Sequence, residues 1–273
     1  MQKSFSYRST PISYRIIGAG NPVVLIHGFG EDSHIWDQQI IFLQTHCLLI
    51  VPDLPGSGKS TLLSPIDSTS DNNKSILIAD YADLIDALLK HENIISCCML
   101  GHSMGGYITL AYAEKYPKKL NSFGLVHSSA FADTSEKKEN RLKGIALMEQ
   151  YGAAPFLKNT IPNLFGSTFK KEHPEMIANL IEESLKFNTK ACQQYYRAMM
   201  LRTDKTNVLK DNHLPVLFVI GTEDIAAPLN DLLTQVHLPS IAHIHILEAV
   251  GHMGMWEASE QMNQYLLEFI LLQ

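Results

Sequence analysis

The stretch Ile94-Ile95-Ser96-Cys97-Cys98-Met99-Leu100 runs directly into Gly101-His102-Ser103-Met104-Gly105-Gly106, and the first proline beyond it is Pro117. An apolar run of this length reads as a strand buried on both faces, so a strand is expected over Ile94–Leu100. A helix is expected from about Gly105 to Tyr116, where Pro117 stops it. Gly-x-Ser-x-Gly between a strand and a helix puts the serine at the tip of a sharp, strained turn. Gly101 and Gly105, two residues to either side, relieve the crowding that such a turn creates. The turn aims the Met104 N–H at the space above Ser103, and the helix start adds positive potential there. Ser103 is therefore the candidate nucleophile. A plain glycine turn or a phosphate loop would also match five bare residues, and it is the strand–turn–helix context that favours the elbow.

Working outward, strands and helices alternate. Phe5–Tyr7 and Ile12–Ile16 read as an opening hairpin. Val23–Ile26, Cys47–Val51, Phe123–His127, Val216–Ile220 and His243–Leu247 read as further strands. Ile78–Leu89 has helical apolar spacing, and Asn263–Leu271 closes the chain as an apolar helix. Alternation of this kind implies an α/β fold, a mainly parallel sheet with helices on both faces. Residues 133–205 break the rhythm with no convincing strand. They open with a charge-dense helix (Glu136 to Lys143). Further helices follow around Phe156–Phe165, from Pro174, and over Lys190–Arg202. A helical stretch between two strands reads as a lid.

A nucleophilic serine needs a base, and the base needs an orienting acid. Position selects His252 among the 12 histidines: it follows the last strand, and ligand sites of parallel sheets lie at the carboxyl ends of strands. His243 and His245 lie within that strand, where packing or surface roles are expected. Asp224 in Gly221-Thr222-Glu223-Asp224 follows Val216–Ile220 in the same way, with Glu223 as runner-up acid. A capping carboxylate is the simpler reading of Asp224 alone; the order Ser, Asp, His, each after a strand, favours the triad. An oxyanion needs two donors. Met104 supplies one, and the glycine-flanked loop His27-Gly28-Phe29-Gly30 offers the Phe29 N–H as the other. His27 is expected to hold its loop. Gly56-Ser57-Gly58-Lys59-Ser60 ends like a phosphate loop, but Asp53 stands where that motif needs glycine.

These motifs together resemble the α/β-hydrolase fold family, of the capped serine esterase and haloperoxidase-like type, from Tyr14 to Leu271. The carriers are His27–Gly30, Asp53–Ser60, Gly101–Gly106, Gly221–Asp224 with Pro228, and Gly251-His252. The resemblance implies a mostly parallel eight-stranded sheet with helices on both faces. It implies a core of residues 1–132 and 206–273, and a helical cap of residues 133–205. It implies Ser103 as nucleophile, Asp224 as acid, His252 as base, and Phe29 and Met104 as oxyanion donors. Epoxide hydrolases and haloalkane dehalogenases of the resembled families carry aspartate at the nucleophile position, where this chain has Ser103. Neither a metal nor an organic cofactor is expected.

Composition bounds the rest. The chain has 273 residues, 45% hydrophobic and 18% charged, with a net charge of −6. That composition suits a packed core and argues against disorder. The acidic balance argues against a nucleic-acid partner. No apolar run is long enough to span a bilayer. The first 18 residues lack the apolar region of a signal peptide. Cys47, Cys97, Cys98 and Cys192 show no paired spacing, so free thiols and a cytoplasmic location are expected. Cys97 and Cys98 are read as core thiols on opposite faces of a strand. Apolar residues around the motifs, with Trp36, Phe156, Phe165 and Met253 as candidate pocket residues, point to a small hydrophobic ester, thioester or lactone. Arg197 and Arg202 could bind a substrate carboxylate, although exposed helix arginines are the commoner case. C–C bond hydrolysis, perhydrolysis and a non-catalytic small-ligand receptor remain alternatives, and the sequence does not indicate an oligomeric state.

Overall fold

The computed structural model describes residues 1–64 and 75–272. The chain opens as a hairpin of β1 (Gln2–Tyr7) and β2 (Thr10–Ile17). Arg8 and Ser9 both take positive φ in its two-residue turn, the geometry that matches the twist of paired strands. Next come β3 (Pro22–Ile26), α1 (Asp37–Leu43), β4 (Leu48–Pro52), α2 (Ile78–His91), β5 (Cys97–His102), α3 (Met104–Lys115) and β6 (Leu120–Val126). A helical segment succeeds them: α4 (Ser135–Tyr151), α5 (Ala153–Thr160), α6 (Ser167–Glu172), α7 (Pro174–Ser184) and α8 (Thr189–Leu201). The chain finishes with α9 (Thr206–Lys210), β7 (Val216–Gly221), α10 (Leu229–Leu233), β8 (Ala242–Leu247), α11 (Gly254–Glu257) and α12 (Ser259–Leu271).

The eight strands form one sheet in the order β1-β2-β4-β3-β5-β6-β7-β8. β2 runs antiparallel to both neighbours, and β3 to β8 pair in parallel. Alternate side chains of the buried strands feed two cores. Val24, Ile26, Met99 and Phe218 pack towards α2 and α3. Val23, Leu25, Leu100 and Val219 pack towards α1 and α12. Cys97 lies in the first core and Cys98 in the second, so the adjacent thiols do face opposite ways. All four cysteines are free and buried. Burial pushes the Cys47 thiol up to about 11.

The strand leading to Ser103 begins later than the apolar run suggests. Ile94 belongs to the end of α2: Asn93 takes φ 58° and the Ile94 N–H bonds the Leu89 carbonyl, which closes the helix terminus. Ile95 is 86% exposed. The missing length is regained at the other end, where β5 continues through His102. The short α1 carries no apolar period that the sequence reading detects.

The ends of the helical segment are tied together. Asp133 precedes α4 and Arg202 follows α8. Arg202 Nη1 lies 2.8 Å from Asp133 Oδ1, while Arg141 of α4 pairs with Asp133 Oδ2. Arg202 also donates to the Phe131 carbonyl and lies 3.9 Å over the Tyr107 ring. Its guanidinium is thus held by contacts within the protein.

Candidate active site

β3 is flanked by β4 on one side and β5 on the other, so the connections leaving β3 and β5 part at this point in the sheet. A crevice at such a switch point is where α/β sheets bind ligands. Ser103 sits at the end of β5 with φ 52° and ψ −115°. A serine rarely holds this backbone, and neighbouring bonds hold it here. Its N–H donates to Val126 O at 2.9 Å, and its carbonyl accepts from Ser128 Oγ at 2.7 Å and Gly106 N–H at 2.9 Å. A Cβ on Gly101 would lie 2.2 Å from the Gly105 carbonyl group, and one on Gly105 would lie 2.3 Å from Ile26 O. The glycines are therefore required by backbone passing against backbone.

Asp224 follows β7 and is buried. Its Oδ1 accepts from the Ala226 and Ala227 N–H groups, each at 2.8 Å. Its Oδ2 lies 2.8 Å from His252 Nδ1. The same oxygen lies 3.2 Å from Nδ1 of His127, a fully buried histidine just past β6. Burial pushes His127 down to about 4, with the Asp224 hydrogen bond and charge opposing. His127 is therefore a neutral donor to the carboxylate at neutral pH. Burial would raise Asp224, but the His252 charge and the hydrogen bonds from His127 and His252 outweigh it, and Asp224 is held far below the usual range. Burial also opposes charging His252, but the Asp224 charge and hydrogen bond outweigh it and raise this imidazole above its ordinary value. Glu223, the runner-up acid, points elsewhere and accepts from Ser167 N–H and Oγ.

His127 is the residue the sequence reading missed. It ends a parallel strand just as Asp224 and His252 follow theirs, and that position was its one legible signal. Ser103 Oγ makes no hydrogen bond among the described residues. Its neighbour supplies the link to His252, because His102 Nε2 lies 2.9 Å from the His252 carbonyl. Catalytic hydrogen bonds are often loose before substrate arrives. The ligating atoms of His127, Asp224 and His252 lie within 4.8 Å of one another, a spacing that could hold a cation. Both imidazole Nδ1 atoms already engage one carboxylate oxygen, so a metal there would displace both hydrogen bonds.

The loop after β3 lies directly on the elbow: a Cβ on Gly28 would sit 3.1 Å from Ser103 Cβ. His27 holds the loop as expected. Its Nε2 accepts from Leu54 N–H at 2.9 Å, leaving Nδ1–H for the Gly28 carbonyl at 2.8 Å. The N–H groups of Phe29 and Met104 donate to no group among the described residues. Asp53 folds into its own loop, accepting from Ser33 and Lys59 N–H, so the phosphate-loop lookalike is closed by a buried carboxylate.

The helical segment rests on the site at two places. The Phe29 ring packs against Tyr196, centroids 4.5 Å apart, and against Phe156 at 6.4 Å. At the other, the His252 N–H donates to Leu164 O at 2.6 Å. Glu257 accepts from Gly166, Gly251 and Met253 N–H, bracketing His252. The approach is close: a Cβ on Gly251 would meet Gly166 N at 2.6 Å. Of the four candidate pocket residues, Phe156 is half-buried in the aromatic group on Phe29. Trp36, Phe165 and Met253 are fully buried in the core that the sheet shares with the helical segment. A groove of about 1030 Å³ runs past Gly30 and Glu31, between them, α7 and Trp256. No described helix is long and apolar enough to cross a membrane.

Comparison with known proteins agrees with the fold. Residues 21–259 match the family model described as the alpha/beta hydrolase fold, and the chain belongs to that family of hydrolases. It is similar to a thermophilic esterase from Thermogutta terrifontis, solved with malate bound, at 25% identity and a TM-score of 0.90, covering 98% of this chain and 97% of that one. It is 28% identical to a 2-hydroxy-6-oxononadienedioate/2-hydroxy-6-oxononatrienedioate hydrolase from Paraburkholderia phymatum, over 95% of this chain and 90% of that protein. It is also 28% identical to the dihydrolipoyllysine-residue acetyltransferase component of the acetoin cleaving system of Pseudomonas putida, over 92% of this chain and 64% of that protein. The chain thus spans less than two thirds of that last relative.

Proposed function

We propose that this chain is a serine hydrolase that cleaves a small, mainly hydrophobic carboxylic ester, thioester or lactone. The observation that carries the reading is the strained Ser103 elbow joined, through the His102 ring, to His252, whose Nδ1 lies 2.8 Å from a buried carboxylate. Ser103 attacks the carbonyl carbon while His252 Nε2 takes its proton. Asp224 holds the imidazole tautomer and balances the imidazolium. The Phe29 and Met104 N–H groups receive the oxyanion, where losing one such donor typically costs about 10²–10³ in rate. His252 then protonates the leaving group, and water discharges the acyl-enzyme by the same route. Residues 133–205 act as a cap over the site, and the apolar Phe29, Phe156 and Tyr196 group supports an apolar acyl chain.

A second reading, C–C bond hydrolysis on the same triad, draws on the similarity to the Paraburkholderia phymatum hydrolase. The test is turnover of short p-nitrophenyl esters and labelling by a fluorophosphonate, parent against Ser103→Ala, followed by a panel of esters, thioesters, lactones and vinylogous diketones. Ester turnover and labelling that depend on Ser103 are expected. Labelling of Ser103→Ala at the parent rate would overturn the reading. Ser103-dependent cleavage confined to diketones would select the second. Tight binding of an apolar ligand without turnover would point to a receptor.

A further inference from the structure

Beneath the site lies a buried acid that the triad mechanism does not use. Gly30 takes φ 71°, and the turn folds Glu31 back on its own loop. Glu31 Oε2 accepts from the Gly28 N–H at 2.7 Å and lies 2.9 Å from His102 Nδ1. His102 Nε2 in turn lies 2.9 Å from the His252 carbonyl. One carboxylate oxygen therefore joins the loop that carries Phe29, the residue preceding Ser103, and the main chain of His252. We propose that Glu31 is a positioning residue: by holding the Gly28 N–H it fixes the loop that presents Phe29 over Ser103 and, through His102, it fixes the backbone of the base. This rests on the serine-hydrolase reading.

The geometry at Gly28 shows how tightly the parts meet. A Cβ there would lie 3.0 Å from His102 Nδ1, 3.1 Å from Glu31 Oε2 and 3.1 Å from Ser103 Cβ. The Gly28–Phe29 peptide is flanked by glycines, which resist rotation less than other residues. Glu31 anchors the preceding His27–Gly28 peptide through the Gly28 N–H, His27 Nδ1 holds the Gly28 carbonyl, and the Phe29 N–H is left for substrate. His102 is spanned by a polar partner on each ring nitrogen, Glu31 Oε2 on Nδ1 and the His252 carbonyl on Nε2, which fixes the plane of its ring. Burial opposes ionisation of Glu31, but the His102 charge and hydrogen bond and the Gly28 N–H hold the carboxyl below its ordinary range. Hydrogen bonds of this charge-assisted kind are short and directional, which suits a part whose task is to fix a peptide plane.

A pair that merely holds the fold would lower the amount of active protein and leave its turnover intact. A positioning pair lowers kcat in fully folded protein. In Glu31→Ala, kcat for p-nitrophenyl butyrate falls about 10²-fold with KM within about threefold, the size expected for a displaced oxyanion donor. Fluorophosphonate labelling of Ser103 slows by the same order. Glu31→Gln keeps an acceptor oxygen within reach of Gly28 and His102, and restores kcat to within about tenfold of the parent. Thermal unfolding and active-site titration are measured on each variant, so that kcat refers to folded sites. Parent-level kcat in Glu31→Ala would overturn the proposal. So would a glutamine variant no better than alanine. Should the alanine variant be insoluble, Glu31→Asp, which withdraws the acceptor while keeping the charge, decides the matter: parent-level kcat there overturns it. Turnover that survives Ser103→Ala removes the functional reading and this one with it. A Ser103-dependent activity indifferent to Glu31 removes this one alone.

Discussion

Replacing Asp133 with alanine tests how the helical segment is fastened to the sheet. The Asp133 side chain is wholly buried, and its partners Arg202 and Arg141 are 8% and 17% exposed. Removing one member of a buried pair leaves an uncompensated charge and costs about 3–5 kcal/mol. Here two guanidinium groups are stranded, but each keeps other contacts. Arg202 retains the Phe131 and Met199 carbonyls and the Tyr107 ring. Arg141 retains the Tyr196 ring. The lower end, about 3 kcal/mol, is therefore expected. At about 2–4 °C per kcal/mol for a chain near this size, Tm falls by about 6–12 °C. Asp133→Asn keeps one acceptor oxygen and recovers part of the loss. Burial opposes ionisation of Asp133, but the two arginines outweigh it and hold its pKa below the ordinary value. A lowered folded pKa gives stability that is full above the unfolded value and is lost as pH falls through the folded one. The Tm gap between parent and Asp133→Ala is therefore full at pH 7 and narrows below about pH 4. Differential scanning calorimetry at both pH values is the assay. Midpoints within about 2 °C of each other at pH 7 would refute the reasoning.

Four further outcomes are expected. His252 is raised by Asp224, so kcat/KM for ester substrates drops as pH falls through a value above 6.5. Asp224→Asn lowers kcat by about 10⁴, as loss of the orienting acid does elsewhere; a pH–rate profile of the variant matching the parent's would contradict the assignment. His127 sits at φ 49° and donates to Asp224. His127→Ala loses about 2 kcal/mol in urea unfolding, and asparagine, which tolerates that backbone and can donate, recovers part of it; equal midpoints for the two variants would argue against this. Gly105→Ala would press a Cβ within 2.3 Å of Ile26 O, a backbone atom that cannot step aside. About 3 kcal/mol or more is lost, and a variant as stable as the parent by chemical unfolding would show the elbow to be looser than these contacts imply.

What the sequence made legible depends on distance along the chain. Gly101, Ser103 and Gly105 lie in one turn, so their spacing carries their geometry. The parallel sheet was legible from apolar runs, because strands buried on both faces have no other way to read. Ile94 and Ile95 misled the strand boundary because helix-closing and strand-buried residues share the same chemistry. His127 and Asp224 meet across 97 positions and Glu31 and His102 across 71, so no local pattern announces either contact. Trp36 and Met253 show the converse difficulty: apolar side chains near a motif are as apt to fill the core as to face a ligand.

The seam between Leu164–Gly166 and Gly251–His252 has a mechanical consequence. Under the proposed reading, a cap whose Leu164 carbonyl takes the His252 amide is fastened to the base itself, so parting at that edge would pull the imidazole from its acid. The margin that would part without that cost is the opposite one, where the groove beside Gly30 and α7 opens.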